Sequence, residues 1–191
     1  MNFNVNGFFY TDDRDDLCRK YLDISRKNYQ PSKPQLMVVM MNPGSSKPIG
    51  ELKNNVLIPT KPDPTQFQIM KIMDKKNIDF ARVINLSDLR EPSSSMFYSK
   101  IKNGRQDHKH SIFDESREED LNDLFVKDVP IIFAWGVNSS LDQLTKLAVS
   151  KLKISNPLGI LKNNNKYYHA RPWSVKKQQK WVNDILDQMN I

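Results

Sequence analysis

Six consecutive apolar residues, Leu36 to Met41, run without a break into Asn42-Pro43-Gly44, and this junction limits what the chain can fold into. An uninterrupted apolar run of that length, closed by turn residues, fits a strand buried on both faces of a sheet. A sheet covered on both faces belongs to an α/β protein, where chemistry gathers in loops beyond the carboxyl ends of strands. Asn42 is therefore the first candidate site residue. Other candidates are judged by whether the fold can bring them to it.

Two more runs read as buried strands: Phe80 to Leu86 and Val129 to Trp135, the latter closed by Gly136. Between the first and second, Asp63-Pro64 offers an N-cap followed by proline at the first helical position, and Phe67, Ile69, Met70, Ile72 and Met73 recur at helical spacing. These residues predict an amphipathic helix over Pro64–Lys76. Strand, helix, strand in that order predicts a right-handed parallel crossover. Further helices are expected around Leu121, Leu124 and Phe125, after Ser139 or Ser140, and from Val175 to the C-terminus. Asn163-Asn164-Asn165, between Leu158–Leu161 and Tyr167-Tyr168, reads as a hairpin turn. Alternation of Leu22 and Ile24 against Tyr21, Asp23 and Ser25, followed by turn residues to Pro34, predicts a hairpin of Arg19–Asn28 against Leu36–Met41. A helix through Leu17–Ile24 is the competing reading. Met1 to Tyr10 carries no clear signal, Asp12 to Asp16 reads as a solvated charge cluster, Asn42 to Asp63 as irregular, and Glu91 to Ser111 as a polar loop. The expected architecture is one α/β domain over residues 1–191: three layers, with a mostly parallel central sheet flanked by helices.

At 191 residues, 38% hydrophobic and 27% charged, the chain can bury one good core and resembles ordinary globular proteins. The longest apolar run is far short of a bilayer span, and the N-terminus lacks the basic start and apolar core of a secretory signal. No membrane partner is expected. Cys18 is the only cysteine, which excludes an internal disulfide and suits a reducing cytoplasm. Lys and Arg number 29 against 22 Asp and Glu, a net charge of +7. Such an excess favours a polyanionic partner. Its distribution sharpens the point: Asp114 to Asp128 holds seven acids and two bases, whereas Ile160 to Ile191 holds six bases and two acids.

Each candidate has a plain structural explanation beside the functional one. Asn42-Pro43-Gly44 is either a strand-exit turn or a turn that points the Asn42 amide at a reacting group, with backbone N–H groups from Gly44 through Ser45 to Ser46 cradling an anion. Asn85, near the end of the second strand, must find a partner, either local backbone or a ligand. Asp88 and Arg90 form either an ordinary ion pair or part of the site. His169 stands in His169-Ala170-Arg171-Pro172-Trp173-Ser174, where Arg171 suits phosphate and Trp173 is either a large apolar site residue near a turn or a staple onto the next helix. No GxGxxG or P-loop is present, so no dinucleotide or nucleotide cofactor is expected. His108 and His110 read as part of a solvated basic loop rather than a metal site, since no third ligand accompanies them.

In order, MNPGSS, PTQFQIMKIM, INLSDLR, IIFAWG and HARPWS resemble the uracil-DNA glycosylase superfamily. The resemblance implies a glycosylase-like fold with Asn42 as the water-positioning residue, where the fastest members carry aspartate. It implies His169 as the residue stabilising the departing base, Trp173 as the wedge into the DNA stack and Asn85 as the reader of the base edge. A closer likeness, over roughly Asp16 to Trp173, is to the domain-of-unknown-function family DUF1643, whose arginine-bearing first strand, LNPS turn, DPT helix start, NL strand and AWG strand are similar to Arg19–Arg26, Met41–Ser45, Asp63–Thr65, Asn85–Leu86 and Ala134–Gly136. The resulting expectation is a DNA-acting protein that hydrolyses the N-glycosidic bond of a flipped base. Asn42 and His169 would be catalytic, and Pro43, Gly44, Ser45, Asn85, Asp88 and Arg90 would bind substrate. Arg171, Trp173, Ser174, Lys176 and Lys177 would hold the nucleic acid. No metal or cofactor is expected. Two other readings remain: a non-catalytic nucleic-acid or partner-binding module, and an enzyme of free nucleotides or nucleosides, for which Trp173 would pack in the core.

Overall fold

A computed structural model of the chain describes residues 2–29 and 32–190. The apolar run becomes a strand, β3 (Leu36–Met40), with every residue buried. It lies between two parallel neighbours, β5 (Phe80–Asn85) and β6 (Ile131–Ala134), with Leu36 opposite Ala81 and Met37 opposite Ile131. That local arrangement is the one the sequence implies. The remaining strands are antiparallel: β1 (Phe3–Thr11), β2 (Leu17–Arg26) and β4 (Val56–Pro59) complete a six-stranded sheet in the order β4-β1-β2-β5-β3-β6.

The sheet is therefore mixed and mostly antiparallel, which overturns the expected mostly parallel glycosylase-like sheet. Two features of the N-terminal segment cause the difference. Phe3 to Thr11, which carried no clear signal, is a full strand whose Phe3, Val5 and Phe9 are buried. Leu17–Arg26 is also a strand rather than a helix, and it pairs with β1 and β5 instead of β3. The expected hairpin is thus absent, because β5 lies between its two halves; Gln30 and Pro31 of its turn fall outside the described residues.

Between β3 and β5 the chain forms edge strand β4, within a stretch expected to be irregular, and then helix α1 (Pro64–Lys76). Asp63 caps α1 by accepting the Thr65 and Gln66 N–H groups, and Gln66 returns a bond to the Asp63 N–H, a reciprocal capping box. Ile69, Met70, Ile72 and Met73 are buried against Leu22, Ile24, Val38 and Val83, each worth roughly 1.5–3 kcal/mol. The C-terminal helix α5 (Val175–Gln188), capped by Ser174, packs beside α1 through Trp181, Val182 and Ile185.

The opposite face is covered by α2 (Ser94–Asn103), α3 (Glu118–Leu124) and α4 (Asp142–Leu152). Helix α2 occupies much of the expected polar loop. That loop is not solvated throughout either: Arg105 and His110 are 2% and 1% exposed. Arg105 reaches Asp12 (2.5 Å) and Asp16 (2.9 Å), so the supposed solvated acidic cluster is an ion-pair partner. Finally, a small hairpin, β7 (Leu161–Asn163) and β8 (Lys166–Tyr167), turns the chain back beside β6.

Candidate functional site

A cleft of about 210 Å³ opens beyond the carboxyl ends of β3 and β5, between the sheet and the N-terminus of α1. Three chain segments supply most of its wall. The first is the exit of β3, Asn42 to Ser45, folded as a turn in which the Ser46 N–H donates to the Pro43 carbonyl (3.1 Å). Gly44 sits at φ +57° within that turn, a left-handed conformation that glycine adopts without strain. The second is the α1 cap, Asp63 to Gln66, and the third brings His169 and Arg171.

Delivery of His169 depends on close packing against β6. Leu158 pairs in parallel with Ile132, and Tyr168 N–H donates to Ile160 O (2.9 Å). Gln188 of α5 clamps Gly159 from both sides, accepting its N–H (2.8 Å) and donating to its carbonyl (3.1 Å). Ala170 is fully buried, so its neighbours His169 and Arg171 are held at the cleft by an apolar anchor.

Hydrogen bonds define what each group offers. Asn42 Nδ2 donates to the carbonyls of Leu89 (3.1 Å) and Glu91 (2.9 Å), which fastens the exit of β3 to that of β5. Its amide nitrogen is thereby committed, and Oδ1 is the atom left to accept a hydrogen bond, as from a water. His169 Nδ1 accepts the Arg171 backbone N–H (3.1 Å), so a neutral ring carries its proton on Nε2. Burial draws the His169 pKa below the ordinary imidazole value, opposed by the Asp63 charge, and favours that neutral donor. Asp63 commits Oδ1 to the α1 cap and is the one carboxylate lining the cleft among the described residues.

Two charged lining residues were not candidates from sequence: Asp63, legible only as a cap, and Arg19. Alternation along β2 assigns Arg19 to the side of Tyr21 and Asp23. The β1–β2 pairing, however, shifts register between Phe8 and Phe9, where Phe8 faces Tyr21 but Phe9 faces Arg19. This bulge at Lys20 moves Arg19 to the face of Leu22 and Ile24, towards the cleft. Arg19 is 2% exposed, and burial pulls its pKa down to about 10, so it is charged at neutral pH.

Of the expected site residues, Asn42, Pro43, Gly44, Ser45, His169 and Arg171 meet in the cleft; Asn85, Asp88 and Arg90 do not line it. Asn85 ends β5 opposite Met40, fully buried, and neither atom of its amide finds a partner among the described residues, so local backbone does not satisfy it. The Asp88–Arg90 pair does not form. Asp88 is buried against Arg117 (2.6 Å) and the Tyr10 hydroxyl (2.8 Å), and burial raises its pKa. Arg90 donates to Ser46 O (2.7 Å) and lies over the Phe9 ring. His110 bonds Ser87 Oγ (2.8 Å) through Nδ1. Beyond the cleft, Trp173 is 87% exposed with Lys177 Nζ 5.5 Å from its ring centre, Lys176 is exposed, and Ser174 Oγ is spent on the α5 cap.

Among the described residues no three His, Cys, Asp or Glu side chains converge as a metal site requires, and no helix is long and apolar enough to cross a membrane. A wider hollow of about 370 Å³ lies on the other helical layer, where His108, Ser139 and Ser140 meet.

Fold and site together define an α/β protein with a mixed sheet and a polar cleft at the carboxyl ends of the parallel pair β3 and β5. The chain belongs to the DUF1643 family, described as a protein of unknown function, which matches residues 24–172. That segment contains Asn42, Asp63, His169 and Arg171, whereas Arg19 and Trp173 lie outside it. No curated protein and no solved structure matches the chain.

Proposed function

We propose that the protein acts on nucleic acid and hydrolyses the N-glycosidic bond of a nucleotide turned into the cleft. The observation that carries this reading is the meeting of Asn42 and His169, from distant turns, in one cleft beside an exposed tryptophan. The order of the MNPGSS and HARPWS motifs, similar to that of uracil-DNA glycosylases, supports it. Breaking the bond leaves an oxocarbenium-like sugar and a base that departs as an anion. A neutral His169 donating from Nε2 stabilises that anion without a competing positive charge in the ground state. Losing a donor of this kind costs about 3–4 kcal/mol of barrier. Asn42 Oδ1 orients the attacking water but does not deprotonate it, which suits a dissociative reaction. Arg171, Lys176 and Lys177 meet phosphates, and Trp173 fills the gap in the stack.

The exposure of Trp173 favours a polymeric substrate over a free nucleoside, since that alternative expects this side chain in the core. Incubation with oligonucleotides bearing uracil, modified cytosines or mismatches, followed by alkaline cleavage of abasic sites, tests the reading. Excision that is abolished in His169→Ala and strongly reduced in Asn42→Ala supports it. No cut substrate, or excision by both variants at the wild-type rate, refutes it. Retention on DNA with a steep salt dependence and no abasic product selects a non-catalytic binding module instead.

A further inference from the structure

Among the described residues, three largely buried arginines pair with carboxylates and Arg19 does not. Arg105 holds Asp12 and Asp16, Arg117 holds Asp88 and Asp120, and Arg82 holds Asp23 through two bonds. Arg19 is as deeply buried as Arg105, yet neither its Nε nor its Nη1 finds any hydrogen-bond partner among the described residues. A guanidinium taken out of water with no bonded partner, offset only by the unbonded charges of Asp63 and Asp88, is an expensive feature for a fold to carry. It is held there by a specific irregularity, the bulge that shifts β2 by one residue and sends this side chain into the cleft instead of onto the face of Tyr21 and Asp23. Bulges that re-aim a side chain are characteristic of sites. Orphaned polar atoms also gather at this end of the sheet, with Asn85 Nδ2 and Oδ1 at the end of β5 and Ser46 Oγ in the β3 exit.

We propose that Arg19 is the floor of a phosphoryl-binding subsite, which takes a terminal phosphate of a nucleotide or of a nucleic-acid strand. The guanidinium edge presents parallel N–H groups that match two oxygens of a phosphate. Arg171 lines the same cleft and adds a second cation at its mouth, while Asp63 is the single opposing carboxylate. A phosphate in mid-strand is flanked by sugars on both sides and stays at the rim, so a group that reaches a residue this deep is a chain end or a small molecule. The subsite stands whether or not the cleft cleaves a glycosidic bond, and its test needs no turnover.

Binding is read by calorimetry and by thermal unfolding at fixed ionic strength. The ligands are inorganic phosphate, a nucleoside 5′-monophosphate against the same nucleoside, and an oligonucleotide with a 5′-phosphate against its 5′-hydroxyl form. Wild type should bind at least one phosphorylated ligand in preference to its unphosphorylated twin. Preference in the mononucleotide pair alone assigns a free nucleotide, and preference in the oligonucleotide pair assigns a strand end. Arg19→Met should lose that preference, weakening binding by about tenfold to a hundredfold. It should also melt no lower than wild type without ligand, because it removes a buried charge whose Nε and Nη1 have no hydrogen-bond partner among the described residues. Arg19→Lys should retain part of the preference. The proposal is overturned if no phosphorylated ligand is preferred or if Arg19→Met keeps the preference. A lower unliganded melting temperature for Arg19→Met also overturns it, since Arg19 would then serve the fold.

Discussion

Changing Asn42 to aspartate tests whether the turn is built as described. In the native protein its amide nitrogen spans two backbone carbonyls, Leu89 O at 3.1 Å and Glu91 O at 2.9 Å, joining the exits of β3 and β5. Each neutral bond contributes a net of about 0.5–1.5 kcal/mol, so Asn42→Ala should lose roughly 1–3 kcal/mol. For a chain of this size about 2–4 °C accompanies each kcal/mol, which places Asn42→Ala roughly 2–12 °C below wild type. Asn42→Asp should fall further, because a carboxylate oxygen replaces the donor and faces both carbonyls. The folded-state pKa of the introduced carboxyl is then raised above its unfolded value of about 3.9. Native protein binds more protons than unfolded chain in that window, so the deficit against wild type is full at pH 7 and shrinks as the pH falls through the raised pKa. Thermal unfolding by circular dichroism at pH 7 and pH 5 reads both effects. If Asn42→Asp melts with wild type at pH 7, the amide does not fasten the two strand exits, and the role given to Oδ1 loses its basis.

Three further outcomes follow from particular contacts. His110 is almost fully buried, and burial with the nearby Arg105 charge pushes its pKa down to about 4, below an ordinary value near 6.5. The unfolded chain binds the proton first, so stability on the order of 3 kcal/mol should be lost between pH 6.5 and 4, and urea unfolding should show a smaller loss in His110→Gln. A Cβ on Gly159 would lie 2.7 Å from the Phe133 carbonyl oxygen and 2.5 Å from the Tyr167 ring; Gly159→Ala should therefore cost about 1–3 kcal/mol or more, and unchanged melting would contradict this packing. Trp173→Ala should leave the melting temperature unchanged, since the side chain is 87% exposed, while weakening single-stranded DNA binding by about 1–3 kcal/mol in a fluorescence-anisotropy titration. Equal affinity would remove Trp173 from the interface.

The parts of the fold legible in the sequence are those with a local cause. Leu36–Met41 has no polar residue to expose, so its burial follows directly, and Asp63-Pro64 with Gln66 writes the start of α1 down to its reciprocal cap. Sheet direction is not local. Leu22 and Ile24 specify an apolar face of β2, which packs against α1, but not whether β3 or β5 lies beside the strand, and a hairpin is the shorter connection. The place of Arg19 is not legible for a related reason: the bulge at Lys20 breaks the two-residue period, and that period is the only signal in the sequence for its side. His110 and Arg105 looked solvated because their partners, Ser87 and the Asp12–Asp16 segment, are remote in sequence. HARPWS was readable as a cluster because its anchor, Ala170, lies between the residues it positions.

The most direct test of the central claim, that the cleft beyond β3 and β5 is where this protein meets its ligand, is a titration followed by nuclear magnetic resonance. Uniformly 15N-labelled protein would be titrated with a 5′-phosphorylated single-stranded oligonucleotide. The account predicts that the largest amide shifts fall on Asn42, Gly44, Thr65 and Arg171, with the Trp173 indole moving as well. Shifts centred on His108, Ser139 and Ser140, or no shifts at saturating oligonucleotide, would contradict it.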